Sequence, residues 1–329
     1  MTTNPEPMLL QVLQAQTLNP LVRMLHLGRP DGGVLPGYTA GSHIQVQVAL
    51  PDGTSAWRAY SLINFATSAN ATAAPMQYCI AVRREDAGRG GSHWMHEQPQ
   101  VGTMLTVQRP RNDFPLEDIA GSTVLLAGGI GVTPLASMAA QCRAQDRPVR
   151  LHYAGRSRSL MAFLPELQTM LGGDLELHID DEAAGLNIAA LLGVCAPQVK
   201  LYVCGPQAML DAVLDQAQKL GWPPERVHFE LFAAPAANDG DHAFQIVLEQ
   251  TGRTLIVPAD KSILDALIDA GCDPLFDCKR GECGVCAVSV LDGEIEHRDY
   301  VLSAREKSLG NVMHTCVSRA KGPRLVLDL

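Results

Sequence analysis

Four cysteines near the carboxyl end carry the most specific chemistry in this chain. Cys278, Cys283 and Cys286 fall in the run Cys-Lys-Arg-Gly-Glu-Cys-Gly-Val-Cys, and Cys316 follows after 29 intervening residues. The pattern is C-x4-C-x2-C plus a distant fourth cysteine, the spacing at which four thiolates hold a 2Fe–2S cluster. Such a cluster passes one electron at a time. Gly281 and Gly284 let the loop fold closely and turn N–H groups toward sulfur. A structural zinc site is the alternative. Zinc, however, is ordinarily held by paired Cys-x2–4-Cys knuckles, not by one triple and a lone partner.

Two further constellations lie upstream. Arg58-Ala59-Tyr60-Ser61 places a guanidinium fork, a flat aromatic face and a small hydroxyl at the end of a predicted strand. Arginine suits a phosphate, and tyrosine suits a planar ring. Some twenty residues on, Ile80-Ala-Val-Arg-Arg-Glu85 leads into Gly88-Arg-Gly-Gly-Ser92 and His93-Trp-Met-His-Glu97. Here Ser92 reads as a helix N-cap, Gly90 and Gly91 permit close backbone approach, and Arg83 adds a charge. The second constellation is Thr123-Val-Leu-Leu-Ala-Gly-Gly-Ile-Gly-Val-Thr-Pro134, a strand, a glycine loop and a helix start. Glycines 128, 129 and 131 allow a pyrophosphate to approach the backbone, and Pro134 suits a first helical turn. The string is not G-x-G-x-x-G. Val203-Cys204-Gly205-Pro206 ends a later strand, and Glu230-Leu-Phe232 closes the zone.

The elements that must position these residues fall into three zones. Residues 8 to 115 read as short strands (Leu9–Ala15, Arg23–Leu27, His43–Val48, Tyr78–Val82, Met104–Gln108) broken by Gly and Pro, which predicts an antiparallel barrel or sandwich. From 121 to 232, strands at Thr123–Ala127, Val149–Tyr153, Leu175–Ile179 and Leu201–Cys204 alternate with helices at Pro134–Gln145, Phe163–Leu171 and Gln207–Leu220, which predicts a parallel α/β sheet. The small, polar run Ala233–Asp241 reads as a linker. Beyond it come a hairpin around Gly252, a helix at Ser262–Ala270 capped by Ser262, and the cysteine loop. The expected division is 1–117, 118–233, a linker at 234–242, and 243–329.

The 329 residues, 47% of them hydrophobic, suffice for two or three cores. A net charge of −9 without a basic block argues against nucleic acid. No apolar run is long enough for a bilayer, and the amino end lacks signal-peptide regions, so a cytoplasmic protein away from the membrane is expected. Nine cysteines, an odd number with five scattered outside the C-terminal set, fit a reducing compartment. His93 and His96 read as surface residues, and His152, His178 and His228 as core or rim. No general acid–base pair or Ser-His-Asp arrangement is visible.

Together the motifs carry a resemblance. Residues 243–329, with Cys316 in Met-His-Thr-Cys-Val-Ser-Arg, resemble a plant-type ferredoxin domain. R-x-Y-S, G-G-I-G-x-T-P and C-G-P resemble the flavin and nicotinamide motifs of the ferredoxin–NADP reductase superfamily. Over nearly its whole length the chain resembles the phthalate dioxygenase reductase family, which includes vanillate demethylase reductases. The resemblance implies an FMN-binding β-barrel, an α/β nucleotide domain and a β-grasp ferredoxin domain. It implies FMN contacts from Arg58, Ala59, Tyr60, Ser61, Ala81, Arg83, Gly90, Gly91 and Ser92; FAD is disfavoured because no separate segment suits an adenine half. It implies nucleotide contacts from Gly128, Gly129, Gly131, Thr133, Pro134, Arg156, Cys204 and Gly205, with Ser61, Thr133, Cys204 and Phe232 at the reacting centre. Phe232 is the expected cover of the flavin face, while Phe229 reads as core. The family favours NADH, while Arg156 and Arg158 leave NADPH open. The implied activity is that of a reductase component, a monomer alone. It passes electrons from NAD(P)H through FMN to the cluster and on to a terminal Rieske non-haem iron oxygenase. A stand-alone flavin and iron–sulfur oxidoreductase, and a redox-sensing module without turnover, are the alternatives.

Overall fold

The computed structural model describes residues 6–329 except 69, 119, 120, 183, 184, 236, 237 and 239. The chain divides into two compact units after Glu230.

The first unit opens with β1 (Met8–Asn19), β2 (Val22–Gly28), β3 (His43–Ala49), β4 (Ser55–Ser61), β5 (Gln77–Arg83), the short helix α1 (Gly91–Glu97) and β6 (Met104–Val107). These strands form a six-stranded antiparallel barrel sheet in the order β4-β3-β6-β1-β2-β5. Alternate residues such as Val12, Leu25, Ile44, Val46, Ile80 and Val107 fill its core. Strand β1 runs well past the predicted Leu9–Ala15. Irregularities at Val12/Gln14 and Thr17/Asn19 reset its pairing, which breaks the alternation a sequence pattern relies on.

The same unit continues with β7 (Thr123–Gly128), a 3-10 turn at Gly129–Gly131, α2 (Val132–Ala144), β8 (Val149–Gly155), α3 (Leu164–Leu171), β9 (Leu175–Ile179), α4 (Ile188–Gly193), β10 (Lys200–Cys204), α5 (Gln207–Lys219) and β11 (Val227–Glu230). The five strands are parallel, in the order β11-β10-β7-β8-β9. Chain order reverses beside β7, so a crevice opens between the carboxyl ends of β7 and β10. Helix α2 is Ala-rich and buried along most of its length. It starts two residues before the predicted Pro134. Proline is accepted there because the first N–H groups of a helix have no internal partner. Ser137 on α2 ties the two halves of the unit: its hydroxyl donates to the Leu62 carbonyl at 2.7 Å and accepts from the Asn64 N–H at 2.9 Å.

The second unit comprises β12 (Phe244–Leu248), β13 (Arg253–Val257), α6 (Ile263–Asp269), β14 (Ala287–Asp292), β15 (Ile295–Glu296), α7 (Ala304–Leu309), β16 (Val312–His314), β17 (Arg319–Ala320) and β18 (Arg324–Leu327). The main sheet has the order β13-β12-β18-β14-β16, with β12 and β18 parallel and the other pairs antiparallel. This is a β-grasp arrangement with α6 packed against the sheet through Ile263, Ala266 and Leu267. Ser262 caps α6 by accepting the Asp265 N–H at 3.0 Å, as its sequence position predicts. Of the predicted linker, residues 236, 237 and 239 lie outside the described residues. Its last residue, Asp241, is anchored: its carboxylate pairs with the nearly buried Arg298.

Candidate redox cofactor sites

The cluster loop joins α6 to β14. Its backbone turns left-handed at Lys279, Gly281 and Gly284, with φ of 55°, 80° and 78°. A Cβ at Gly281 would lie 2.7 Å from Val317 Cγ2, so glycine is required there on both counts. The turns aim N–H groups inward. The Arg280 N–H donates to Cys278 Sγ at 3.3 Å, that of Val285 to Cys283, and that of Gly281 to Cys316. Cys316 donates toward Cys286, which holds the Cys286 thiol low and pushes Cys316 up. The Cys316 N–H also turns to Cys286, so four sulfurs converge and each receives a backbone N–H group, which is the donor set a 2Fe–2S cluster takes. Cys286 and Cys316 are buried while Cys283 is exposed.

Support for the loop comes from residues the sequence did not single out. Asp299 has a fully buried side chain and accepts the N–H groups of Leu302 at 2.8 Å and Val301 at 3.2 Å. Burial opposes its charge, but the His314 imidazole 3.6 Å away and the Leu302 N–H hold its carboxyl well below the usual range; His314 is raised in return. The next residue, Tyr300, donates its N–H to the Gly281 carbonyl at 2.9 Å. Glu282 pairs with Arg280 at 2.8 Å and accepts the Leu231 N–H at 2.8 Å. In sequence, Asp299 and Glu282 are ordinary acids, and nothing but the fold distinguishes them.

The flavin candidates gather on the barrel. Arg58, Ala59, Tyr60 and Ser61 end β4, with Ser61 buried and Tyr60 packed against the barrel core. Burial raises the Tyr60 phenol well above its usual value, so it stays neutral. Arg58 packs across the start of α1, where a Cβ at Gly91 would meet its Nε at 3.0 Å. Burial lowers the Arg58 pKa, and the nearby positive charge of Arg89 lowers it further. The Arg58 guanidinium over a glycine-rich helix start, with the charge of Arg89 nearby, fits an anionic phosphate. Gly90, at φ 88°, is the residue that precedes α1; a side chain there would strike Pro51. Ser92 is therefore not the N-cap. It lies inside the first turn, and its hydroxyl accepts the Glu85 N–H at 3.0 Å. Two glycines in succession let the helix begin earlier than a Ser-cap pattern suggests. Arg83 is exposed and engaged with Glu85, and Ala81 is buried in the core shared with α2. Arg23 was also missed: it rises from β2 and donates to the carbonyls of Met95 at 3.3 Å, His96, and Pro99 at 2.6 Å, fixing the far end of α1. A lone arginine in an apolar strand was its only signal.

The nucleotide candidates meet at the crevice between β7 and β10. Here the glycines divide the work. Gly128 and Gly131 face Cys204–Pro206, and a Cβ at Gly131 would lie 2.1 Å from the Cys204 carbonyl oxygen. A Cβ at Gly205 would lie 3.0 Å from Gly128 Cα. These three glycines let the two loops pack on each other. Gly129, at φ 54°, has open space around it. The Thr133 hydroxyl donates to the Ile130 carbonyl at 3.0 Å, and Thr133, Pro134 and Cys204 are buried. Arg156 is exposed after β8, while Arg158 forms a forked pair with Glu182 at 3.1 and 2.9 Å. Phe232 lies in the second unit and is 40% exposed; Phe229 is half-buried on β11.

Comparison with known proteins agrees with this assembly. Residues 246–321 match the 2Fe–2S iron–sulfur cluster binding domain, and residues 105–227 match the N-terminal domain of the dimethylamine monooxygenase subunit DmmA-like family. The chain is 40% identical to vanillate O-demethylase oxidoreductase from Pseudomonas sp. strain HR199, over 93% of this chain and 94% of that protein. It superposes on phthalate dioxygenase reductase, described as a modular structure for electron transfer from pyridine nucleotides to a 2Fe–2S cluster, with a TM-score of 0.72, 36% identity and 98% of both chains covered. The chain belongs to the phthalate dioxygenase reductase family. It is an oxidoreductase of the flavin and iron–sulfur electron-transfer kind, with the barrel, nucleotide and ferredoxin parts of that family. Full-length CYP116B46 from Tepidiphilus thermophilus also matches, with a TM-score of 0.72 and 36% identity over 98% of this chain but only 42% of that longer one. Among the described residues no helix is long and apolar enough to cross a membrane.

Proposed function

We propose that this chain is the reductase component of a two-component Rieske-type oxygenase or demethylase, drawing electrons from NAD(P)H and delivering them singly to the terminal oxygenase. The observation that carries it is the convergence of four sulfurs on a left-handed loop in a chain that also holds a switch-point crevice. Bound FMN would supply the conversion of a two-electron hydride from the nicotinamide into single electrons for the 2Fe–2S cluster. The chain's own residues place and tune. Arg58, Arg89 and the Gly90–Gly91 start of α1 hold the flavin phosphate; Tyr60, Ser61 and Ala81 bound its ring. Gly129 admits the pyrophosphate, and Thr133 and Cys204 bound the nicotinamide pocket. Phe232 covers the flavin face, and Cys278, Cys283, Cys286 and Cys316 ligate the cluster. NADH is the donor: Arg158 is already paired with Glu182, and a 2′-phosphate there would meet that carboxylate.

We place the domain limits at 1–117, 118–233, a linker at 234–242, and 243–329. The gaps between the last barrel strand, the first parallel strand and the first β-grasp strand support their order, while the compact units part after Glu230, three residues before the limit at 233. The relatives include a carnitine monooxygenase reductase subunit and a heme-dependent oxidative N-demethylase beta subunit. A haem oxygenase is therefore the second reading of the partner. One experiment tests the core of the proposal. Cys283→Ala is expected to abolish NADH-driven cytochrome c reduction while leaving ferricyanide reduction largely intact. Equal loss of both activities would refute a relay role for the cluster. Reconstitution with candidate Rieske and haem oxygenases then separates the two partner readings.

A further inference from the structure

Strands β8 and β9 carry a group of donors the electron path does not use. His152 and Glu176 are register partners on neighbouring parallel strands, and His178 lies two residues beyond Glu176. Alternation along a strand puts all three on one face of the sheet, opposite the face of Tyr153. His152 Nδ1 lies 3.0 Å from His178 Nε2 and 3.5 Å from a Glu176 carboxylate oxygen, and the other carboxylate oxygen lies 3.8 Å from His178 Nε2. Zinc bonds of about 2.0–2.1 Å at tetrahedral angles require donor atoms about 3.4 Å apart, so one cation fits among them with only small side-chain movement.

The surroundings suit ligation. Both imidazoles are nearly buried, and burial lowers both pKa values, His152 to about 4, so each ring is neutral with a lone pair to give. Glu176 is half-exposed and free to adjust, and supplies the one negative charge. The three residues line a cavity of ≈ 880 Å³ that also includes Thr123, Val149 and Cys195. Thr123 and Val149 are the first residues of β7 and β8, so this cavity lies at the amino ends of strands whose carboxyl ends form the nucleotide crevice. Cys195 stands apart from the donor set, its thiol donating to the Leu191 carbonyl at 3.2 Å.

We propose that His152, Glu176 and His178 form a site for a zinc-class divalent cation, with the fourth coordination position open to the cavity and filled by water. Two histidines and one carboxylate with an open position form a known zinc donor set. The hydrogen between the two imidazoles moves to the second nitrogen of its ring on ligation, so no net proton is released. The bound ion staples β9, the edge strand of the parallel sheet, to β8.

The test uses the holoprotein, its flavin and cluster confirmed by visible absorption, after dialysis against a chelator. Zinc chloride is titrated in competition with a chromophoric zinc indicator, and the thermal midpoint is followed alongside. One zinc per chain and an upward shift of the midpoint are expected. Glu176→Gln, at a half-exposed position, is expected to weaken binding by about tenfold or more, and His178→Gln to abolish it, with flavin and cluster spectra unchanged. If His178→Gln fails to fold, Glu176→Gln decides. No zinc uptake by the parent protein, or equal uptake by parent and Glu176→Gln, would overturn the proposal. So would an anomalous zinc peak at cysteine sulfur instead of between β8 and β9.

Discussion

The cluster loop and the nucleotide crevice both depend on glycine, for opposite reasons. In the cluster loop Gly281 and Gly284 adopt left-handed backbone, and three of the four cysteine ligands come from one short stretch of chain. In the crevice Gly131 has an ordinary helical φ of −60° and Gly128 an extended one of −118°. There glycine is needed because two loops, one after β7 and one after β10, pack backbone on backbone. The first site is a local conformation, and the second is a contact between distant segments. Their supports differ accordingly. The cluster loop rests on buried charge, in Asp299 with His314 and Arg280 with Glu282. The crevice rests on sterics and on the buried apolar flank of α2.

This contrast breaks most visibly at Gly131→Ala. A methyl 2.1 Å from the Cys204 carbonyl oxygen cannot be relieved by a side-chain rotation, so the two loops must separate. The expected cost is at the upper end of the overpacking range, about 3 kcal/mol, with NADH turnover lost while the cluster spectrum survives. Thermal unfolding and visible absorption check it; a stable, active variant would show that the loops do not pack as described. The next largest effect tests the ionic side. Asp241→Asn takes one of two carboxylates from the nearly buried Arg298, which keeps Glu296 at 2.8 Å, and should destabilise the second unit by about 2 kcal/mol at neutral pH. The hydrogen bond from Arg298 depresses the Asp241 pKa below its unfolded value. Its contribution is therefore fully present above about pH 4 and is lost as pH falls through the depressed folded value. The parent should lose stability over that acid range more steeply than Asp241→Asn, and parallel denaturation curves would contradict the pairing. The smallest effect is Gly284→Ala. Its Cβ would meet Val301 only at 3.4 Å, so the cost is that of a left-handed backbone alone, about 1–2 kcal/mol. Cluster content should persist with a lowered thermal midpoint, and loss of the cluster would mean that Gly284 is a steric requirement like Gly131.

The metal ligands were legible because their chemistry is local: cysteine spacing sets which sulfurs a loop can bring together. Most strands and helices of the first unit were legible from periodicity, though not α4 or β11, and the parallel sheet from alternation of strands with helices. In the second unit only the β12–β13 hairpin and α6 were, because its remaining strands are two to six residues long and α7 spans only six. What escaped has a common physical cause. Arg23, Arg89, Asp299 and Glu282 act through partners far along the chain or around a turn, and no spacing rule links them to those partners. Ser92 reads as a cap but is not one because a Gly-Gly start lets the helix begin two residues earlier, a choice settled by packing against Pro51 and Arg58. His152 and His178 looked like unremarkable strand histidines until the parallel register of β8 and β9 placed them 3.0 Å apart.

The sequence alone determined which groups can hold iron and sulfide, where most strands and helices of the first unit fall, and that three zones follow one another. Those properties depend on neighbours within a few residues. Tertiary structure decided what the glycines are for, which charges are buried and paired, and which face of a strand meets another. Close approach, burial and register arise only when distant segments are brought together.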